Sequence, residues 1–315
     1  GDVYKRQRQH MVSALIWRPD TPETVRFVHA QLREALLDRA RQGGRLVDHH
    51  RAAAAAIDEA GQHAPYRIAH HLLRAGDADA ALRRMPAVTT SQPSWHHGDV
   101  LMAGIRHVLA SAGTPPHDIR WGEVGFYRVR FLIIAHRRAE AQALLRQLEA
   151  DAVAHSWSSL EPQLLLLQAR IARRLHQPEV AIQANERLRA LYEQRGEIEK
   201  VADCEASIGR ILLEEGRREE ALQLLEQARS RVGLSGDKLL ESLVIAYTRL
   251  ERFAQAEEVM SHWEAQVEAT GDATRIGYVK LERAHMLKWR GDLAGALALF
   301  ELSLIHISEP TRQIR

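Results

Sequence analysis

The sequence predicts an all-α fold, a superhelical array of helical hairpins preceded by a short β-hairpin, and three observations carry that expectation. First, a small device recurs: a turn residue, then an alanine five positions on, then an apolar helix. It occurs at Gly76/Ala81, His136/Ala141, His176/Ala181, Gly216/Ala221, Glu251/Ala256 and Gly291/Ala296, and from Ala141 the alanines step by 40, 40, 35 and 40 residues. A period of that size is the mark of a stacked helical repeat. Second, the position twelve before each alanine is small or β-branched (Ala69, Val129, Ala169, Gly209, Val244, Ala284), as a close helix crossing requires, and four after it stand Met85, Leu145, Leu225, Met260 and Phe300, with Asn185 the one departure. Third, aromatics are only 5% while alanine, leucine and arginine abound, which suits helix on helix.

The stretch Gly209 to Val232, GRILLEEGRREEALQLLEQARSRV, shows the unit most clearly. Gly216 breaks the first apolar run. Ala221, Leu222, Leu224, Leu225, Ala228 and Val232 then return at helical spacing. Neither helix buries enough apolar surface to stand alone, so each hairpin depends on its neighbours.

In chain order, residues 14–29, ALIWRPDTPETVRFVH, are the only strand-like stretch, with Leu15, Ile16 and Trp17 before a Pro/Asp/Thr/Pro turn and Val25, Phe27 and Val28 after it. AQLREALLDRARQ and LVDHHRAAAAAIDEA follow as helices. The six hairpins then occupy residues 65–302. From Ala81 to Ala141 is 60 residues, too long for one repeat and too short for two. PAVTTSQPSWHHGD reads there as a loop, DVLMAGIRHVLASAG as an irregular extra helix and TPPHD as a break with a helix start.

The phased small residue, turn and alanine resemble the tetratricopeptide repeat family, whose aromatic and proline positions are mostly not matched. That resemblance covers roughly residues 66–302 and implies a right-handed superhelix with the first helix of each hairpin lining a concave groove. RFVHAQLREALLDR, HHRAAAAAIDEA and YRIAHHLLRAGDADAAL in turn resemble the segment joining winged helix to repeats in STAND-type NTPases, which include large ATP-binding LuxR-type transcription regulators and related bacterial kinases and cyclases. Residues 8–64 are then the end of a winged helix with linking helices, and residues 65–302 the repeats of a sensor arm that holds an ATPase inactive until a ligand or partner binds. The alternative is a free-standing repeat adaptor. The opening GDVYKRQ, residues 1–7, and residues 303–315 read as translated sequencing adaptor, so the natural protein is expected to be longer at both ends, with Leu297, Leu299 or Phe300 left exposed in the last repeat.

No G-x-x-x-x-G-K-[ST], H-E-x-x-H, C-x-x-C or G-x-S-x-G pattern occurs, so the chain is expected to be non-catalytic and to carry no cofactor itself, with ATP or ADP bound upstream in the parent. The resemblance places His29, at the junction of the hairpin and the next helix, on the phosphate of that ADP. Carried over by position, the groove is lined by Arg170, Arg173, Asp203, Arg210, Lys238, Glu241, Tyr278, His285 and Lys288. Five permanent cations against two anions would favour an acidic protein or peptide, or a small inducer, as partner.

The 17 histidines include the pairs His49/His50, His70/His71 and His96/His97, whose members diverge by about 100° on a helix and so suit structural roles rather than a metal. The doublets Arg83/Arg84, Arg137/Arg138, Arg173/Arg174 and Arg217/Arg218 sit near helix ends and are expected to complement helix dipoles. A formal charge of +2 without a basic block gives no footprint for nucleic acid. The apolar runs are too short to span a bilayer and no leader is visible, which points to a cytoplasmic setting. Cys204 is the lone cysteine, expected to be buried and without a redox role.

Overall fold

The computed structural model describes residues 17–19, 25–27, 30–60, 64–90 and 95–300. Apart from one pair of three-residue strands, its architecture is helical. Every turn residue of the recurring device is in the left-handed region, with φ of 78° at Gly76, 59° at His136, 54° at His176, 79° at Gly216, 58° at Glu251 and 92° at Gly291. This backbone ends a helix by folding two amides onto its last carbonyls. Gly216 N–H donates to Leu213 O at 3.3 Å and Arg217 N–H to Leu212 O at 2.9 Å, and His176 and Gln177 repeat the pattern on Arg173 O and Ala172 O. Within a compact unit the alanine five residues on then joins the core of the preceding helix, as Ala81, Ala181, Ala221 and Ala256 do. Ala81, Ala141, Ala181, Ala221 and Ala256 are 0% exposed and Ala296 is 2%. At Gly209 a β-carbon would stand 2.8 Å from Leu225 Cδ2, which is why the crossing there takes glycine.

The described residues form two compact units, one ending at Ala135 and the other beginning at His136. In the first, Trp17–Pro19 (β1) and Val25–Phe27 (β2) pair antiparallel with Trp17 opposite Phe27. Six helices follow: Ala30–Gln42 (α1), Leu46–Glu59 (α2), Pro65–Arg74 (α3), Ala78–Thr90 (α4), Trp95–Ser111 (α5) and Ile119–Ile134 (α6). Their core gathers Ala69, Met85, Leu101, Met102, Ile105, Val124 and Phe131. The extra helix expected between Ala81 and Ala141 is α5. It is drawn close to its neighbours by Gly98 and Gly104, where a β-carbon would stand 2.4 Å from the Phe131 ring and 2.3 Å from Leu73 Cδ2.

The loop expected at residues 86–99 is corrected at both of its ends: α4 runs through Pro86 to Thr90 and α5 begins at Trp95, while residues 91–94 lie outside the described residues. Proline forfeits one helical amide and disfavours a helix interior. Here burial of Met85, Val88 and Thr89 outweighs that cost, and the Thr89 hydroxyl donates to Pro86 O at 2.9 Å.

The second unit comprises Arg138–Ala154 (α7), a 3-10 turn at Ser158–Leu160, Glu161–Arg174 (α8), Pro178–Gln194 (α9), Ile198–Glu214 (α10), Arg218–Val232 (α11), Asp237–Arg249 (α12), Phe253–Glu268 (α13) and Ala273–Arg290 (α14). Residues 293–300 are again helical. The principal contacts join helices that are consecutive in the chain, together with α10 to α12 and α12 to α14. One continuous core runs from Ala202 to Met286, with Tyr247 and Trp263 at its centre. In the last repeat Leu297 is 60% exposed, while Leu299 and Phe300 are half-buried. Asn185, the departure from the bulky rule, is buried and satisfies itself by donating to Ala181 O at 2.8 Å.

Candidate partner-binding face

The first helices of successive hairpins in the second unit are α8, α10, α12 and α14, and the nine groove candidates lie on them. On α8, Arg170 and Arg173 are both exposed. Between α10 and α12, Lys238 Nζ meets Asp203 Oδ2 at 3.4 Å, and the Arg210 guanidinium meets Glu241 Oε1 at 2.5 Å and its own-helix Glu214 at 3.6 Å. On α14, Tyr278 joins the same cluster. Burial pushes its hydroxyl up, and the charge of Glu241 and a hydrogen bond to that carboxylate add to the shift. Glu282, one turn on, is also pushed up, by burial first and by Glu241 second. Arg210, Glu241, Tyr278 and Glu282 thus form one polar ridge over three helices.

The ridge changes the charge balance expected from the sequence. Arg210 and Lys238 are engaged by Glu241 and Asp203, and Glu214 and Glu282 add negative charge that positional carry-over had left out. At the two ends of the face, Arg173 of α8 and Lys288 of α14 are exposed cations. His285, exposed, stacks edge-on with Phe300 at 5.3 Å between ring centres and is not part of the ridge. His29 lies outside the described residues, as do the two proposed adaptor segments.

Two of the histidine pairs meet in a contact that the sequence did not indicate. His50 on α2 and His71 on α3 place their Nδ1 atoms 2.9 Å apart, so one ring donates and the other accepts. Burial and the nearby Arg74 lower the pKa of His50 and of His70, while burial and His50 lower that of His71. Among the described residues no three His, Cys, Asp or Glu side chains are grouped to hold a metal. Cys204 is buried and its thiol is pushed up to about 12 by that burial, which keeps it protonated and unreactive. No described helix is long and apolar enough to cross a membrane.

No family model and no curated protein sequence matches the chain. Among solved structures, a Podosopora anserina protein with nearly identical TPR-like repeats of the kinesin light chain kind is similar at 21% identity with a TM-score of 0.45, covering 63% of this chain and 99% of its own. A point variant of that protein gives 21% identity and 0.46 over 62% and 98%.

Proposed function

We propose that residues 65–302 are a tetratricopeptide-like protein-interaction arm, coiled as a right-handed superhelix, whose first-helix face docks an acidic segment of a partner protein. The observation that supports this reading is the exposed cations at the two ends of that face, Arg173 of α8 and Lys288 of α14, on either side of the ridge in which Arg210 and Glu241 pair. An apolar repeat core presents a row of charged groups from the first helices of successive hairpins, which is how an extended surface holds an extended partner. A fluorescein-labelled hexaglutamate peptide read by anisotropy tests it. Binding should weaken about tenfold or more when Arg173 and Lys288 are both changed to Glu, and should weaken with added salt. Equal binding by parent and variant, or equal binding of a hexalysine control, overturns the docking face.

The arm belongs, in this proposal, to a cytoplasmic STAND-type signalling ATPase, with residues 8–64 as the end of its winged helix and His29 on the phosphate of a bound ADP. An imidazole at a helix N-terminus suits an anion. The rival is a free-standing adaptor built on the same repeats. The gene upstream of the Gln9 codon decides between them: a phosphate-loop motif supports the ATPase parent, and a promoter supports the adaptor. In the full-length protein His29→Ala should release ADP faster, and unchanged ADP retention would remove His29 from the site.

A further inference from the structure

The joint between α7 and α8 borders a half-open cleft of about 510 Å³, within the usual range of small-ligand sites. Its apolar wall includes Trp157, Leu164 and Leu165, each no more than 6% exposed, and Val153 on its rim is 83% exposed. The wall is held by backbone. Ser156 takes the left-handed conformation at φ 58°, and Trp157 N–H donates to Ala152 O at 2.9 Å, so the indole is fixed at the end of α7.

Three charged side chains line the same space: Glu149, Glu161 and Arg187. The one cation is directed at Glu161, 3.4 Å away. Glu149 makes no ion pair or hydrogen bond among the described residues, and its carboxyl is pushed up by burial against the partial relief of Arg187 and Arg146. A half-buried carboxylate beside an apolar wall gains when a cation enters.

We propose that this cleft binds a positively charged head carried on an apolar stem, an alkylammonium or a lysine flanked by leucines, with the stem against Trp157, Leu164 and Leu165 and the head on Glu149. The site shares α8 with the first-helix face but none of the residues assigned to that face, and it stands or falls without it. It also differs in chemistry, taking a cation where that face takes an anion.

The test uses the whole chain and three probes with one stem: octylammonium, octanol and octanoate, followed by the NMR shift of the Trp157 indole N–H, assigned through Trp157→Phe. Octylammonium should bind about tenfold or more tightly than octanol, and octanoate most weakly. Glu149→Gln should erase the preference for the ammonium while leaving octanol unchanged. Should that variant lose its helical circular dichroism, the parent decides alone: octylammonium affinity should fall as pH drops through the raised titration of Glu149, while octanol stays flat. A parallel titration with acetyl-Leu-Lys-Leu-amide separates the sources, tighter peptide binding assigning the head to a partner chain and tighter octylammonium binding to a free amine. Octanoate binding as tightly as octylammonium, an unaltered preference in a folded Glu149→Gln, or no shift with any probe overturns the site.

Discussion

At the scale of single residues, three of the six left-handed turn positions are not glycine: His136, His176 and Glu251. A side chain in that region costs roughly 1 kcal/mol. His176 and Glu251 are exposed, so Glu251→Gly should raise the urea midpoint by about 0.5–1 kcal/mol of stability, and a lowered midpoint would show that the side chain contributes a contact. The opposite sign is expected at Gly209. A β-carbon there meets Leu225, and Gly209→Ala should destabilise by about 1–3 kcal/mol, as should Ala221→Leu across the same crossing. Asp118 gives a pH-dependent case. It caps α6, accepting from Arg120 N–H at 3.0 Å and from the Arg120 guanidinium at 2.7 and 2.8 Å, and the latter holds its carboxyl down to about 2. The folded value lies below the unfolded one, so this stabilisation is complete above about pH 4 and is lost as pH falls through about 2. The stability gap between the parent and Asp118→Asn should therefore be constant from pH 5 to 7 and close by pH 2, and a gap independent of pH would rule the ion pair out as its source.

At the scale of elements, the arginine doublets divide their work. Arg137 and Arg217, just before α7 and α11, each pair with the glutamate three residues on, Glu140 and Glu220. Arg138 and Arg218 reach forward to the next hairpin, donating to Arg174 O at 3.4 Å and Arg249 O at 3.1 Å, the last carbonyls of α8 and α12. The expectation of dipole support at a helix C-terminus holds for the second member of each of these doublets, but the helix served is the next one along. Arg218→Met should cost about 1 kcal/mol, measurable by urea unfolding, with α12 amides near Arg249 exchanging faster; an unchanged exchange pattern would make the contact incidental. What was legible at this scale was the phase: turn, alanine and small residue share one local period and report themselves. The His50–His71 pair, the Arg210–Glu241–Tyr278 ridge and the cleft were not legible. Each joins residues from different helices, and the rotation of one helix against another is set by packing that no local period encodes. The histidines show this well, since adjacency in sequence drew the eye to i and i+1 while the contact runs between α2 and α3.

At the scale of the whole molecule, buried surface in the second unit is unevenly spread. The continuous core of Ala202 to Met286 contrasts with small separate clusters nearer α8, where Leu165, Leu188 and Cys204 form one and Ala172, Ala181 and Ile211 another. In α7 only Ala141, Leu145 and Leu148 are buried. Local stability follows buried apolar contact, so amide exchange should be slowest in α12 and markedly faster in α7. Equal protection in both would mean that the unit opens only as a whole.

That imbalance sets an order of events. Hairpins close quickly because their contacts are local in the chain, and the large core offers the place where several can condense together, so assembly of this unit would start around α10 to α13 and add α8 and then α7 last. Unravelling would run the other way. The joint between α7 and α8 would then be secured late and released early, and a ligand held in the cleft there would act as a latch on α7.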